Sequence, residues 1–571
     1  ISDVFQSKSA IADEKIRTTC SYCGVGCNLE VAIKNNKVLS IDTPKDTEVN
    51  AGHTCLKGRY AFGFYNHKDR LTSPLIKKNG KFEKVTWDEA YDFIKNKLDQ
   101  TKKKYGPDAI AGISSARCTN EENYVFQKMI RAVIGTNNID CCARICHSPT
   151  AWGLQQTFGT GAATNSTEDI YHADLFLVIG ANPTNAHPVI GAKIKQQVMK
   201  GKKLIIIDPV KTELAKMADY HIQLRPGTNV AVLNMMLYFI LEAGLEKKTF
   251  IKERCEGFED FEKEIKKLNI DDLEKVCGVS RKLIKKAATA YATAKNSIEF
   301  HGLGVTEHTQ GSKTVMLIAD LAMITGNLGR KGVGVNPLRG QNNVQGAADM
   351  GCQPHQGAGY LAVADKKIQD FYTEKYGVAH PTKAGLKIPQ IFDAAINGSL
   401  KAVWIIGEDV VQTDPNSAHV IKAMKSLDLL VVQEIFMSET AKFATVVLPG
   451  TSFLEKNGTF TSTERRIQKV NQVAKPFPGS KPDGVIVTEM MQRLGYKQPI
   501  YDADQVLAEI ADVVPFFKGV TRKRLGELGL QWPVKEDGAS TKILHTETFK
   551  LGKGQIKYFD WKETNELIEN K

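Results

Sequence analysis

Apolar positions along the chain follow two patterns. Short unbroken apolar runs occur at 175–180, 204–208, 402–407 and 429–433. Such runs predict strands buried on both faces. Stretches with apolar residues every three to four positions lie at 188–200, 228–243, 280–295, 310–325 and 416–426, and predict helices. Continuous apolar strands joined by helices imply an α/β fold with parallel sheets covered on both sides. Upstream, alternation at 29–33 and 37–41 around Asn35-Asn36 predicts a hairpin. Residues 108–113 predict a strand, 87–105 and 120–134 helices, and 300–304 a strand ending in glycines. Residues 501–529 read as helical, 1–16 as a polar connector, and the tail from Trp561 as polar.

The pattern occurs twice. Leu177-Val178-Ile179-Gly180 with Pro183 and Ala186-His187 is echoed by Trp404-Ile405-Ile406-Gly407 with Pro415 and Ala418-His419. Glu213–Ala218 is echoed by Glu439–Ala444, and Pro226-Gly227-Thr228 by Pro449-Gly450-Thr451. Two related doubly wound α/β domains are expected. Each copy places glycines and polar side chains at strand carboxyl ends, where open α/β sheets bind nucleotides. Neither carries G-x-G-x-x-G, which argues against a nicotinamide site. Asp208, at a strand tip, suits a ribose or a guanine edge; ordinary turns are the plainer reading.

Composition narrows the picture. The 571 residues suffice for three or four domains, and 42% hydrophobic with 25% charged is ordinary for a soluble protein. No apolar run has membrane-span length, and neither a secretory signal nor a twin-arginine motif opens the chain. The first residue is Ile1, so a longer polypeptide is a possible source. The net charge, 76 − 64 = +12, comes without a long Lys/Arg run. That disfavours nucleic acid and suits small anions or an acidic partner. Eleven cysteines, an odd count, favour metal binding in a reducing, cytoplasmic setting over disulfides.

Three places carry chemistry. Cys20-x2-Cys23-x3-Cys27 is followed, after 27 residues, by Cys55. The spacing favours a 4Fe–4S cluster over a zinc site, which more often pairs two C-x2-C units. Cys146-His147 precedes a helix start, with Ser148 expected as N-cap and Pro149 as first helical residue. The helix dipole there favours a thiolate, either a nucleophile or a ligand to a soft metal. A buried inert cysteine beside a core histidine is the bland alternative. The glycine- and amide-rich stretch 334–346 holds Arg339, whose planar fork suits an anion; a surface loop is the alternative.

Together, Cys20-x2-Cys-x3-Cys with Cys55-Leu-Lys-Gly, Asp140-Cys-Cys-Ala-Arg-Ile-Cys-His and Asn336-Pro-Leu-Arg-Gly-Gln-Asn-Asn-Val-Gln-Gly resemble the molybdenum/tungsten bis(pyranopterin guanosine dinucleotide) oxidoreductases. The likeness is nearest to catalytic subunits of metal-dependent formate dehydrogenases, in the cysteine-containing form. It implies a bis-molybdopterin guanine dinucleotide with Mo or W, ligated by Cys146, and a 4Fe–4S cluster on Cys20, Cys23, Cys27 and Cys55. It implies His147 as proton acceptor or positioning group, Arg339 on the formate carboxylate, and Lys57 between cluster and pterin. It further implies dinucleotide contacts at Gly180, Asn182, Asp208, Gly227, Thr228, Gly302 and Gly304, and at Gln341, Gly407, Glu408, Asp409, Gln433, Ser438 and Thr451. The implied domains are 1–66 (completed by about 452–475 and 500–560), 67–141 with 342–451, and 142–341. Formate or CO2, iron–sulfur electron-transfer subunits and a β-rich cap are the implied partners. The chain stops where relatives continue into that cap, so the cap is expected on another polypeptide or a downstream segment. Other superfamily oxidoreductases, such as assimilatory nitrate reductase or formylmethanofuran dehydrogenase, and a non-catalytic iron–sulfur scaffold remain as alternatives.

Overall fold

The computed structural model describes residues 11–564. The chain divides into two compact units. The first comprises the chain up to Arg144, Gln341–Ser462 and Arg466–Ser540; the second comprises Ile145–Gly340, Thr463–Arg465 and the chain from Thr541.

The second unit is built on a five-stranded sheet. Its order is Tyr220–Ile222, Lys203–Ile207, Leu175–Ile179, Ser297–His301, Gly334–Pro337. Every pairing is parallel. Leu175, Leu177, Ile179, Ile205 and Ile207 enter a core with Asn229–Glu242, Arg281–Thr293 and Gly311–Ile324. Removing these side chains from water supplies the stabilisation, at about 1.5–3 kcal/mol for each fully buried Leu, Ile or Val.

The first unit has a seven-stranded sheet: Lys81–Lys84, Leu75–Lys78, Val446–Pro449, Leu429–Glu434, Ala402–Ile406, Ile110–Ser114, Ile139–Cys141. The last five strands are parallel. Their order matches the five of the second unit, with the last two drawn from earlier in the chain. The repeat in the letters is therefore a repeat in the fold. Glu213–Ala218 and Glu439–Ala444 contain equivalent 3-10 turns, Ala215–Met217 and Ala441–Phe443. Pro183 and Pro415 are not equivalent: Pro183 opens the turn Pro183–Ala186, whose counterpart is Val410–Thr413, while Pro415 precedes the N-cap Asn416 of the next helix. Glu14–Thr19, Asn28–Lys34 and Lys37–Asp42 form an antiparallel sheet, its hairpin turn using Asn35 and Asn36 at φ 48 and 60.

Several boundaries differ from expectation. The connector predicted over 1–16 becomes strand at Glu14, and its first ten residues lie outside the described part, as does the tail beyond 564. The helix predicted over 120–134 is α-helical over Asn120–Lys128 and π-helical over Met129–Ile134. There the buried Arg131 donates to Asn137, Gln127 and the carbonyls of Gly351 and Gln353, and these partners hold the wider turn. The strand predicted over 300–304 is Ser297–His301, and 501–529 holds one full helix, Ala503–Val513, before the turns Pro515–Phe517 and Arg522–Leu525. The stretch 334–346 is no surface loop: Gly334–Pro337 is an edge strand, Val344–Asp349 a buried helix, and Asn342 and Asn343 are buried. Among the described residues no helix is long and apolar enough to cross a membrane.

Candidate active site

In the second unit, Cys146 lies half-buried just ahead of the helix Ser148–Phe158, and its carbonyl accepts from Thr306 Oγ1 at 2.8 Å. The N-cap is His147, not Ser148, and Pro149 stands one place further in than expected. The reason is tertiary: both ring nitrogens of His147 are engaged. Nε2 meets the Leu338 carbonyl at 3.0 Å, and Nδ1 meets Thr150 Oγ1 at 3.1 Å. A carbonyl only accepts, so Nε2 carries the proton and Nδ1 accepts from the Thr150 hydroxyl. Thr150 Oγ1 is in turn 3.1 Å from His301 Nε2, and His301 Nδ1 is 3.1 Å from Glu299. Thr150, His147, His301 and Glu299 are all buried. Burial first, then the charges of Arg339 and His301, hold the His147 imidazole well below its ordinary range. Burial raises the Glu299 carboxyl.

Leu338 is followed by Arg339, so the contact to His147 also fixes the arginine's backbone. Arg339 N donates to Thr463 Oγ1 at 2.9 Å, its carbonyl meets His187 Nε2 at 2.6 Å, and Nη2 donates to the Gly161 carbonyl at 2.8 Å. The guanidinium is 1% exposed, yet Nε–H has no partner. A buried cation with an unmet donor is costly, and an anion would satisfy it.

Cys20, Cys23, Cys27 and Cys55 come together in the first unit. Cys20 N donates to the Cys27 carbonyl at 2.9 Å, and Gly26 N to the Cys23 carbonyl at 3.3 Å. Gly26 has φ +67, and a Cβ there would lie 2.4 Å from Gln468 Oε1. Cys55 is the N-cap of Leu56–Tyr60, and a Cβ on Gly58 would lie 3.5 Å from Cys20 Sγ. Burial and the neighbouring Cys23 push the Cys20 thiol up to about 12. Among the described residues, the set of donor atoms within 4.8 Å of one another is Cys118, Glu122 and Asp483, without these four cysteines. A tetrahedral zinc with 2.3 Å bonds needs sulfurs about 3.8 Å apart, closer together than these four cysteines are held. The Cys118 set is already neutralised: Lys456 Nζ lies 2.7 Å from Glu122 and 3.1 Å from Asp483. Lys57 is exposed on the turn after Cys55, and its charge favours the Cys23 thiolate.

Each unit has a cavity at its strand ends. In the second unit it is about 240 Å3, lined by Gly180, Asn182, Asp208, Gly227 and Gly304 of the expected set. Gly180 adopts φ +55, and a Cβ there would lie 2.5 Å from the Gly304 backbone. In the first unit it is about 410 Å3, lined by Gln341, Gly407, Glu408, Asp409, Gln433 and Thr451. Buried oxygens without partners face this chemistry: Asn182 Oδ1, Glu408 Oε2 and Thr451 Oγ1. Glycine openings leave room for a nucleotide, and the unmet oxygens suit its ribose hydroxyls and base N–H donors. Three expected contacts fall outside these linings. Thr228 Oγ1 is spent on the Arg225 carbonyl, Gly302 N on the Ile179 carbonyl, and Ser438 Oγ accepts from Ala441 N. The linings add Arg117, Lys456 and Asp483 in one cavity and Asn229 and His308 in the other. None of these carried a signal in the sequence: Lys456 lies between Glu455 and Asn457, and Asp483 between Pro482 and Gly484.

Comparison with known proteins agrees with this geometry. The family profile "Molybdopterin oxidoreductase" matches residues 70–493, and "Molybdopterin oxidoreductase Fe4S4 domain" matches residues 13–67. The chain belongs to the molybdopterin oxidoreductase family. Within that family, a formate dehydrogenase alpha subunit of Methanocaldococcus jannaschii is 43% identical over 97% of this chain and 82% of its own length. Formate dehydrogenase H of Escherichia coli is 40% identical over 96% of this chain and 78% of its own length. Acetylene hydratase from Pelobacter acetylenicus shares the fold, with TM-score 0.74, 22% identity, and coverage of 96% of this chain and 80% of that one. Molybdopterin and a 4Fe–4S cluster are thus the cofactors of this oxidoreductase.

Proposed function

We propose that the chain is the catalytic subunit of a formate dehydrogenase, oxidising formate to CO2 or running in reverse. Cys146 ligates a molybdenum or tungsten centre carried by two pyranopterin guanosine dinucleotides. The observation that carries the reading is Arg339: a buried guanidinium with an unmet Nε–H, tethered through Leu338 to His147. When bound, the metal–pterin group supplies an acceptor for the two electrons of the formate C–H bond. Arg339 holds the carboxylate through Nε and its remaining donor capacity, as a planar fork does. His147, held neutral by burial and by Arg339, keeps Nδ1 unprotonated, a weak base that takes a proton only as the reaction delivers one. A proton gained there turns the Thr150 hydroxyl from donor to acceptor. The hydroxyl can then donate to His301 Nε2 when His301 carries its proton on Nδ1, facing Glu299.

Cys20, Cys23, Cys27 and Cys55 hold the cluster, and Lys57 acts beside it on the path of the leaving electrons. Gly180, Asn182, Asp208, Gly227 and Gly304 receive one dinucleotide, and Gln341, Gly407, Glu408, Asp409, Gln433 and Thr451 the other. An iron–sulfur subunit takes the electrons, and a β-rich segment, of this or another polypeptide, covers the strand-end cavities. A cytoplasmic setting belongs to this reading, because an odd cysteine count favours a reducing compartment. The test is formate-dependent reduction of an artificial acceptor, with nitrate as the competing substrate and metal analysis alongside. Protein loaded with metal and iron that oxidises no formate would sink the proposal.

A further inference from the structure

Arg117 lies in the turn between the strand Ile110–Ser114 and the helix Asn120–Lys128. Its Nη1 donates to the Ser21 carbonyl at 2.5 Å and the Tyr22 carbonyl at 3.1 Å, the two residues between Cys20 and Cys23. The same nitrogen donates to Asn342 Oδ1 at 3.0 Å. All three acceptors are neutral, so the hydrogen bonds hold the guanidinium against the cysteine loop without cancelling its charge. Arg117 also lines the cavity of this unit with Gln341 and Glu408.

We propose that Arg117 sets the reduction potential of the 4Fe–4S cluster, acting as a fixed positive charge clamped onto the loop between two of its ligands. One-electron reduction of the bound cluster would add one negative charge, with no proton or bond exchanged with Arg117. A cation hydrogen-bonded to the backbone between two ligands stabilises that reduced state more than the oxidised one. Water around the exposed side chain weakens the effect, and an occupant of the cavity would strengthen it by displacing that water.

The proposal rests on the reading of the four cysteines as cluster ligands, and the experiment separates the two. The holoprotein is titrated electrochemically while the cluster is followed by electron paramagnetic resonance and iron content. Arg117→Gln should lower the midpoint, cutting the reduced-to-oxidised ratio at a fixed potential severalfold, where tenfold corresponds to 59 mV for one electron. Arg117→His supplies an internal control. Its midpoint should fall as pH rises through the imidazole range, a slope the wild type lacks. Normal clusters with wild-type midpoints and slopes in both variants overturn the proposal. So does loss of the cluster in both, which would make Arg117 a support of the loop alone. A wild type without a four-iron cluster would instead overturn the ligand reading.

Discussion

Cys146, His147 and Arg339 were legible in the sequence by type: a thiol and imidazole before a helix, and a guanidinium in an amide-rich stretch. Their support was not. Thr150, His301 and Glu299 are spread over 150 positions, and only the carboxylate and imidazole two apart in the apolar strand Ser297–His301 hinted at it. Cys146→Ala should abolish formate oxidation yet leave the iron content and cluster signal intact, because Cys146 belongs to the second unit and the four-cysteine set to the first. Full activity with metal retained would remove it as the ligand. Arg339→Lys should lower kcat/KM for formate roughly ten- to hundredfold, since losing charge-assisted hydrogen bonds costs about 1.5–3 kcal/mol. Unchanged kinetics would take Arg339 out of the site. Thr150→Val keeps shape while cutting the hydroxyl link from His147 to His301. It should lower kcat more than it raises KM, and it should move the acid limb of the pH profile. In the wild type that limb should lie below the ordinary imidazole range, because burial and Arg339 keep His147 unprotonated there. A Thr150→Val profile superimposable on the wild type would exclude the relay.

At the scale of elements, apolar periodicity placed the interior strands at 175–180, 204–208, 402–407 and 429–433 and the helices at 188–200, 228–243, 280–295, 310–325 and 416–426 within two residues, and left the short strands Leu75–Lys78, Lys81–Lys84, Ile139–Cys141, Tyr220–Ile222, Gly334–Pro337 and Val446–Pro449 unread. It failed where buried polar groups decide the backbone. Met129–Ile134 widens into a π turn around Arg131, and His147 displaces Ser148 from the N-cap through its two hydrogen bonds. Glu121 makes the same point in energy. It is buried in the first turn of Asn120–Lys128 and accepts from Thr459 N at 2.7 Å and Thr459 Oγ1 at 2.8 Å. Burial raises its carboxyl from 4.5 to about 7. The folded protein thus keeps a proton there that the unfolded chain loses above its ordinary value. The stabilisation is complete below that value and is lost as pH rises towards about 7. Glu121→Gln has no such proton to lose. Over that window the wild type should lose on the order of 3 kcal/mol relative to the variant, because each tenfold difference in proton affinity between folded and unfolded chains is worth about 1.36 kcal/mol. Denaturant midpoints of the two proteins that stay parallel across this range would show the carboxyl is not held neutral.

For the whole molecule, the sequence repeat announced two related α/β units, but not how each sheet is completed. The order of the five parallel strands is the same in both units, although the first unit takes Ile110–Ser114 and Ile139–Cys141 from far upstream. A letter match cannot see that permutation, because local patterning is silent about which strand a later one will join. What the match did preserve is the strand-end chemistry. Gly180 and Gly407 both turn the chain at positive φ, 55 and 59, and both donate to the end of the adjacent strand, at Ile207 and Gln433. Each then opens onto a cavity with buried oxygens lacking partners, Asn182 Oδ1 in one and Glu408 Oε2 and Thr451 Oγ1 in the other. Two equivalent sites in one chain imply two guanine nucleotides for each molybdenum or tungsten, beside one cluster. Acid release of nucleotide from the purified holoprotein should therefore give about two per metal and about two for every four irons, in line with one cluster per chain. Gly180→Ala should break this ratio selectively. Its Cβ would lie 2.5 Å from the Gly304 carbonyl carbon, against backbone that has no flexible end to move aside. The positive φ adds strain of about 1 kcal/mol. The variant should retain its iron, since the cysteine loop belongs to the other unit, while nucleotide and metal fall together. One nucleotide per metal in the wild type, or full nucleotide loading in Gly180→Ala, would show that the second strand-end cavity does not hold a dinucleotide.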